Sequence, residues 1–334
     1  MPASNGHPIA IMPYSMVVGQ KQLKLALELA YVAPRIGGVL LSGQRGTGKS
    51  TLVRAFAHAV YGDLPVTLPI NATEDRVVGG WNIGALLNSQ LQEQPGLLES
   101  ADGKLLYIDE VNLLDDHIVN MILDVTSTGV LSIEREGRHT EREVRFTLVG
   151  TMNPSEGGLR PQLLDRFGVM VDVVSETDDV VREDILRAVL DYDAARVLER
   201  TTPEAEPVPP PLQTLRDARA SDSRRGSELQ AARDRLGNVK LPAEMAKACV
   251  QIGKRFQVEG HRGDYIMALA ARARAAIRGV ETVEADDVQE VAPLALQHRR
   301  PGVLQSGKAL WSAKDADDVR GVLGIPAAEQ IPAS

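Results

Sequence analysis

Gly43-Gln44-Arg45-Gly46-Thr47-Gly48-Lys49-Ser50, the pattern G-x-x-x-x-G-K-S, is the stretch on which the fold turns. An apolar run, Val39-Leu40-Leu41, precedes it and reads as a strand; Thr51 to Ala57 follows and reads as a helix. Strand, glycine-rich loop and helix in that order is the setting in which such a loop wraps phosphate. Glycines let successive backbone N–H groups turn toward phosphate oxygens. The new helix adds the positive end of its dipole. Lys49 is placed to reach β- and γ-phosphates, and Ser50 to ligate Mg²⁺. The candidate nucleotide-binding residues are therefore Gly43, Gln44, Arg45, Gly46, Thr47, Gly48, Lys49, Ser50 and Thr51.

Working outward, Gln20 to Tyr31 carries a helical stripe at Leu23, Ala26, Leu27, Ala30 and Tyr31, ended by Pro34. Apolar strand candidates recur at 38–42, 65–69, 104–109, 144–150 and 169–174, with helical stretches at 51–60, 83–92 and 118–126 between them. Alternating strands and helices predict an α/β fold, a parallel five-stranded sheet covered on both faces. Residues 130–147 break the alternation and read as a β-hairpin inserted before a core strand. Beyond Val174 the strands stop. Residues 177–198 read as a helix, 201–211 hold five prolines, and 212–238 are rich in Arg, Asp and Ser. Three helices then follow at 241–256, 264–279 and 282–299, with Pro293 set to kink or split the last. The division is a loose leader over 1–13, the α/β domain over 14–198, a linker over 199–240, an all-α helical lid over 241–300 and a tail over 301–334.

With 334 residues, 43% of them hydrophobic, the chain can bury a large core without staples. A single cysteine, Cys249, rules out an intrachain disulfide. No run approaches the roughly 18 apolar residues of a spanning helix, and the first residues carry no secretory signal; a cytoplasmic protein is expected. The net charge of −8 and the 4% aromatic content argue against nucleic acid as the main partner.

Leu105 to Ile108 is an apolar strand that ends in Asp109-Glu110. A carboxylate at the end of a strand beside a phosphate loop can hold Mg²⁺, and the next can polarise the attacking water. Asp109 is assigned to the metal and Glu110 to the water. Asn153 ends the following core strand and can orient that water or touch the γ-phosphate. Arg166 lies near its own phosphates, reaches those of a neighbouring subunit, or simply pairs with Asp165 or another acid; the residues alone leave this open. Arg262 opens a helix of the second domain, where it either folds back onto the γ-phosphate or stands as a surface charge.

These elements, in this order, resemble the AAA+ ATPases. The resemblance sharpens over YSMVVGQKQLKLALELAYVAPRIGGVLLSGQRGTGKST, DEVNLLDDH, IEREG, RPQLLDRFG, HRGDYIMALAARARAAIRG and LALQHRR, which are similar to the subunit I family of magnesium chelatase and its relatives, across about residues 14–300. The resemblance implies that Gly43 to Ser50 is Walker A and that Asp109 and Glu110 are Walker B. It further implies Asn153 as sensor 1, Arg166 as an arginine finger acting across a subunit interface, and Arg262 as sensor 2. Residues 130–147 become the pre-sensor 1 insert, and 77–95 the insert of the second helix. The ligands implied are ATP and Mg²⁺. The partners implied are further copies in a homo-oligomeric ring, hexameric in the family, and a subunit with an AAA+-like or integrin (von Willebrand A) domain. A separate catalytic subunit would insert Mg²⁺ into protoporphyrin IX. Two alternatives stay open: a MoxR-like ATPase that remodels or loads another client, and a non-hydrolysing nucleotide-dependent scaffold. Asp264 stands where the family usually has Glu, and the stretch between Phe56 and TEDRVVGG is short.

Overall fold

The computed structural model describes residues 10–81, 92–135, 138–201, 207–301 and 311–326. A 3₁₀ turn (Tyr14–Met16) leads into α1 (Lys21–Val32), β1 (Val39–Ser42), α2 (Lys49–Tyr61), β2 (Val66–Leu68), α3 (Glu74–Val78), β3 (Gly79–Trp81), β4 (Glu93–Pro95) and α4 (Leu97–Ser100). Then come β5 (Leu105–Ile108), α5 (Asp116–Thr128), β6 (Val130–Arg135), β7 (Arg138–Glu143), β8 (Thr147–Met152), α6 (Pro161–Arg166) and β9 (Val169–Asp172). The rest is helical: α7 (Asp179–Thr201), α8 (Pro210–Arg235), α9 (Ala243–Arg255), α10 (Arg262–Arg278), α11 (Ala285–Leu296), a 3₁₀ turn (Gln297–Arg299) and α12 (Ala313–Leu323).

The sheet runs β2-β5-β8-β1-β9, every pair parallel. Every residue of β1, β5 and β8 is buried. Helices cover both faces of a parallel sheet, so its inner strands read as continuous apolar runs rather than alternating ones. This is why β1, β5 and β8 stand out in the sequence as apolar runs. Register then sets the site: Ser42 lies opposite Met152, and Ile108 opposite Gly150. Gly43, Asp109 and Asn153 therefore leave the sheet along one carboxyl edge, where ligands bind in open α/β sheets.

Two apolar clusters hold the layers. One face packs Val111, Ile118, Ile122 and Leu163 against the sheet. The other packs Leu23, Leu27 and Phe56, and continues without a break into Met267, Ala271, Val288 and Val291 of α10 and α11. The helical lid thus shares the core of the α/β domain. Each fully buried Leu or Phe there contributes roughly 1.5–3 kcal/mol.

Several expectations change. The stretch read as a linker holds α8, a helix of 26 residues with Leu212, Leu215, Ala218, Asp222, Leu229 and Ala232 buried. Its middle lies so close to the end of α2 that a Cβ at Gly226 would sit 2.6 Å from the Ala59 carbonyl oxygen. The expected tail contains α12, begun by a Ser312/Asp315 capping box and packed through Val319 into the main core. Of the expected leader, residues 10–13 are described, and Met12, like Met16, packs against Tyr192, Ala195 and Leu215. Pro293 does not split α11, which runs through it to Leu296. The inserted hairpin forms as β6 and β7, antiparallel and apart from the main sheet. Around the second-helix insert, β3 pairs antiparallel with β4; the helix expected at 83–92 lies, but for residue 92, outside the described residues. Among the described residues no helix is long and apolar enough to cross a membrane.

Candidate nucleotide-binding and catalytic site

The loop between β1 and α2 opens into a cleft of about 300 Å³ lined by Gly43, Arg45 to Thr51, Asp109, Glu110, Thr151, Met152 and Asn153. Gly46 and Gly48 take φ values of +81° and +80°, a left-handed conformation open to glycine at no steric cost, and a Cβ at either would meet nothing. No side chain caps the start of α2, so its first N–H groups remain for a ligand. Lys49 curls back into the loop: its Nζ donates to the carbonyl oxygens of Gly43 and Gln44, both at 2.7 Å, and to Thr47 Oγ1 at 3.2 Å. Burial lowers the pKa of this ammonium, against the pull of Asp109. A cation held only by neutral oxygens, at an uncapped helix start, fits a polyphosphate.

Beside it stands a chain of hydroxyls. Tyr107 OH donates to Asp109 Oδ1 at 3.0 Å and, having one proton, accepts from Ser50 Oγ at 2.9 Å. Burial pushes the Tyr107 phenol up to about 12, so it keeps that proton at neutral pH. Thr151 Oγ1 donates to the same Asp109 oxygen at 2.6 Å. The Ser50 hydroxyl and Asp109 carboxylate are hard oxygen donors. Mg²⁺ is commonly bound by one or two such protein groups, with water and phosphate completing its shell; the donor set fits that ion.

Glu110 is a non-glycine residue at φ +55°. Such a conformation costs of order 1–3 kcal/mol and persists where neighbours enforce it. Its N–H is fixed by Thr151 Oγ1 at 3.1 Å. Its carboxylate accepts from Arg45 at 2.9 Å, and the exposed Arg45 also reaches Glu156 at 2.6 Å. Asn153 is buried at the cleft wall, with Oδ1 accepting from Ser155 Oγ at 2.9 Å. Gln44 belongs to the loop without lining the cleft.

Arg166 and Arg262 are not among the residues that line it. Arg166, at the end of α6, donates to Asn120 Oδ1 at 2.5 Å and pairs with Asp124 of α5. Arg262 pairs with Asp165 at 3.3 Å instead of folding back onto the phosphate loop. Asp165 is shared with Arg299, a buried guanidinium that also donates to the carbonyls of Asp165, Phe167 and Gly168 at 2.7, 2.6 and 2.9 Å. Burial, with Arg262 nearby, brings Arg299 down to about 10 despite Asp165, which still leaves it charged.

A second compartment of about 580 Å³ adjoins the first and shares Gly46, Thr47, Gly48 and Thr51 with it. Its walls are Met12, Val17, Val18 and Gln20 on one side and Arg182, Ile185, Leu186 and Val189 of α7 on the other. Sequence reasoning missed these walls, and with them Tyr107, Thr151 and Glu156. Tyr107 had a signal: it lies two residues before Asp109, hence on the same side of an extended strand. The walls had none, since their two halves are far apart in sequence.

Comparison with known proteins agrees with this geometry. Residues 38–167 match the AAA domain of the dynein-related subfamily, and residues 246–319 an AAA lid domain. The chain is 38% identical over 330 residues to the magnesium-chelatase 38 kDa subunit of Rhodobacter capsulatus, covering 89% of this chain and 90% of that one. It is 42% identical to an uncharacterized protein of Mycobacterium tuberculosis, where the match takes in 86% of this chain and only 44% of the relative. A crystal structure from Cytophaga hutchinsonii shares the fold at a TM-score of 0.61, 15% identity, and 94% and 91% coverage of this chain and that one. The chain belongs to the AAA+ ATPases, in the family of magnesium-chelatase subunit I and its relatives.

Proposed function

We infer that the chain is the ATP-hydrolysing motor of a ring, and that its turnover drives a partner complex of the magnesium-chelatase type. One observation carries this: folding brings Lys49, Ser50, Asp109, Glu110 and Asn153, from three separate strand ends, into one cleft. Lys49 and the start of α2 would hold the phosphates, the second compartment the base. Ser50 and Asp109 would hold Mg²⁺, which when bound neutralises charge between the β- and γ-phosphates. Glu110 would accept a proton from the attacking water once Arg45 releases its carboxylate, with Asn153 orienting that water. Arg166 and Arg262 are tied to Asp124 and Asp165 outside their own cleft. That placement supports a role at the cleft of an adjoining protomer, where an arginine stabilises charge in the transition state.

The subunit number of the ring, an integrin-domain partner and a separate Mg²⁺-inserting subunit are implied by the family resemblance alone and are part of the same proposal. The test begins with ATPase activity of the purified chain. Wild type should turn over ATP, and Lys49→Ala should abolish nucleotide binding. A wild-type chain that binds but never hydrolyses ATP, alone or with its partners, would favour the scaffold instead. Co-purification then assigns the client. A large porphyrin-binding subunit marks chelation, and an integrin-domain protein by itself marks MoxR-like remodelling.

A further inference from the structure

The second compartment has two walls, and both are fastened to α8, the helix hidden in the apparent linker. Asp222, buried on α8, accepts from the backbone N–H groups of Tyr14 at 2.7 Å and Ser15 at 2.8 Å. Ser15 Oγ donates to the Ala218 carbonyl at 3.0 Å. One turn on, Arg225 donates twice to Glu28 of α1, at 3.0 and 2.6 Å, and Tyr14 OH donates to the same carboxylate at 3.1 Å. The Tyr14 ring stands edge-on to Phe56 of α2, their centroids 5.5 Å apart. The opposite wall joins α8 through Tyr192 and Ala195, which pack with Leu215.

The first N–H groups of a 3₁₀ turn have no partner inside the turn, as at any helix start. Here a carboxylate from another helix supplies both partners. Hydrogen bonds to an ionised acceptor are the strong, directional kind, so they define where the segment sits. From Ser15 the chain runs through Val17 and Val18 to Gln20, whose Nε2 donates to the Thr47 carbonyl of the phosphate loop at 3.5 Å. The wall is therefore held at one end by Asp222 and touches the phosphate loop at the other.

We propose that Asp222 is a positioning residue for nucleotide binding: it fixes the Tyr14–Val18 wall of the compartment that takes the base, while the phosphate loop holds the triphosphate independently. This rests on the reading of the cleft as the ATP site. Removing the Asp222 carboxylate releases the wall, whereas the loop keeps its own bonds from Lys49 to Gly43, Gln44 and Thr47. The loss then falls on ligands that carry a base and spares a bare phosphate chain. A purely structural role would weaken both together.

The experiment uses the full chain with Mg²⁺ and two probes, ATP and inorganic tripolyphosphate, titrated calorimetrically. Wild type should bind ATP more tightly than tripolyphosphate. Asp222→Ala should raise the Kd for ATP about tenfold, as expected for two lost charge-assisted bonds, and leave that for tripolyphosphate within about twofold. Asp222→Asn keeps one acceptor in the same volume and should fall between. It carries the same comparison if the alanine variant does not fold. A parallel loss for both probes, or an unchanged Kd for ATP, overturns the assignment. A wild-type chain that binds neither probe defeats the nucleotide reading itself and the inference with it.

Discussion

The phosphate cleft and the arginine face differ in who completes them. In the cleft, one chain gathers every group: Lys49, Ser50, Asp109, Glu110 and Asn153 meet within a single fold. On the arginine face, Arg166, Arg262 and Arg299 converge on Asp165 and Asp124, each cation already partnered and none lining the cleft. Parallel-strand register and the glycine turn into α2 together dictate the first arrangement. The second gathers three guanidinium groups outside the lining of the cleft. If the proposed function holds, the contrast separates nucleotide binding, which a protomer would perform alone, from rate enhancement, which would await a neighbour.

Substitutions can break that contrast. The largest effect is expected for Arg166→Ala, which should lower kcat about 10³–10⁵-fold, the range for an arginine that stabilises the transferring phosphoryl group. ATP affinity should stay near wild type in equilibrium titration; a comparable loss of binding would place Arg166 in its own cleft. Next is Glu110→Gln. Loss of a general base should cost about 10²–10⁴ in kcat, with nucleotide still bound, as single-turnover and binding measurements would show. A normal rate would remove Glu110 from the chemistry.

Smaller effects sharpen the arginine face as structure. Arg299→Met keeps an unbranched buried chain but strips Asp165 and several carbonyls of their donor. It should cost about 2–3 kcal/mol in urea unfolding. A change below about 0.5 kcal/mol would mean that water or Arg262 replaces it at once. The smallest effect concerns His298, fully buried, with Nε2 at 3.1 Å from the Phe167 carbonyl. Burial, with Arg299 beside it, drives its pKa well below the ordinary 6.5. The folded chain thus keeps His298 neutral while the unfolded chain protonates it below about 6.5. Its share of stability is present above that pH and is lost as pH falls, by at most about 1.4 kcal/mol per unit. His298→Gln should flatten this part of the stability–pH curve; an unchanged slope would assign it to other groups.

The phosphate loop and both acids were legible because each is contiguous in sequence and sits at a strand end that shows as an apolar run. The sheet was legible for the same reason. The lid helices showed through their period, but α8 did not. Its buried stripe is interrupted by the charged Asp222, its mean composition is polar, and it comes near α2 at Gly226, which has no side chain to signal the contact. Arg299 was invisible for another reason: most of its partners are backbone carbonyls, which have no residue identity. The pairing of Arg166 with Asp124 needed the packing of α6 on α5, which spacing alone does not give.

The most direct test of a shared site is a mixing experiment. Arg166→Ala and Glu110→Gln chains are purified separately, shown to assemble, and combined in varying ratios while ATPase activity is followed. Mixtures should recover activity that neither variant has, because some seams would pair an intact cleft with an intact neighbouring arginine. Mixed assemblies that form normally yet stay as inactive as their parents would contradict the shared site.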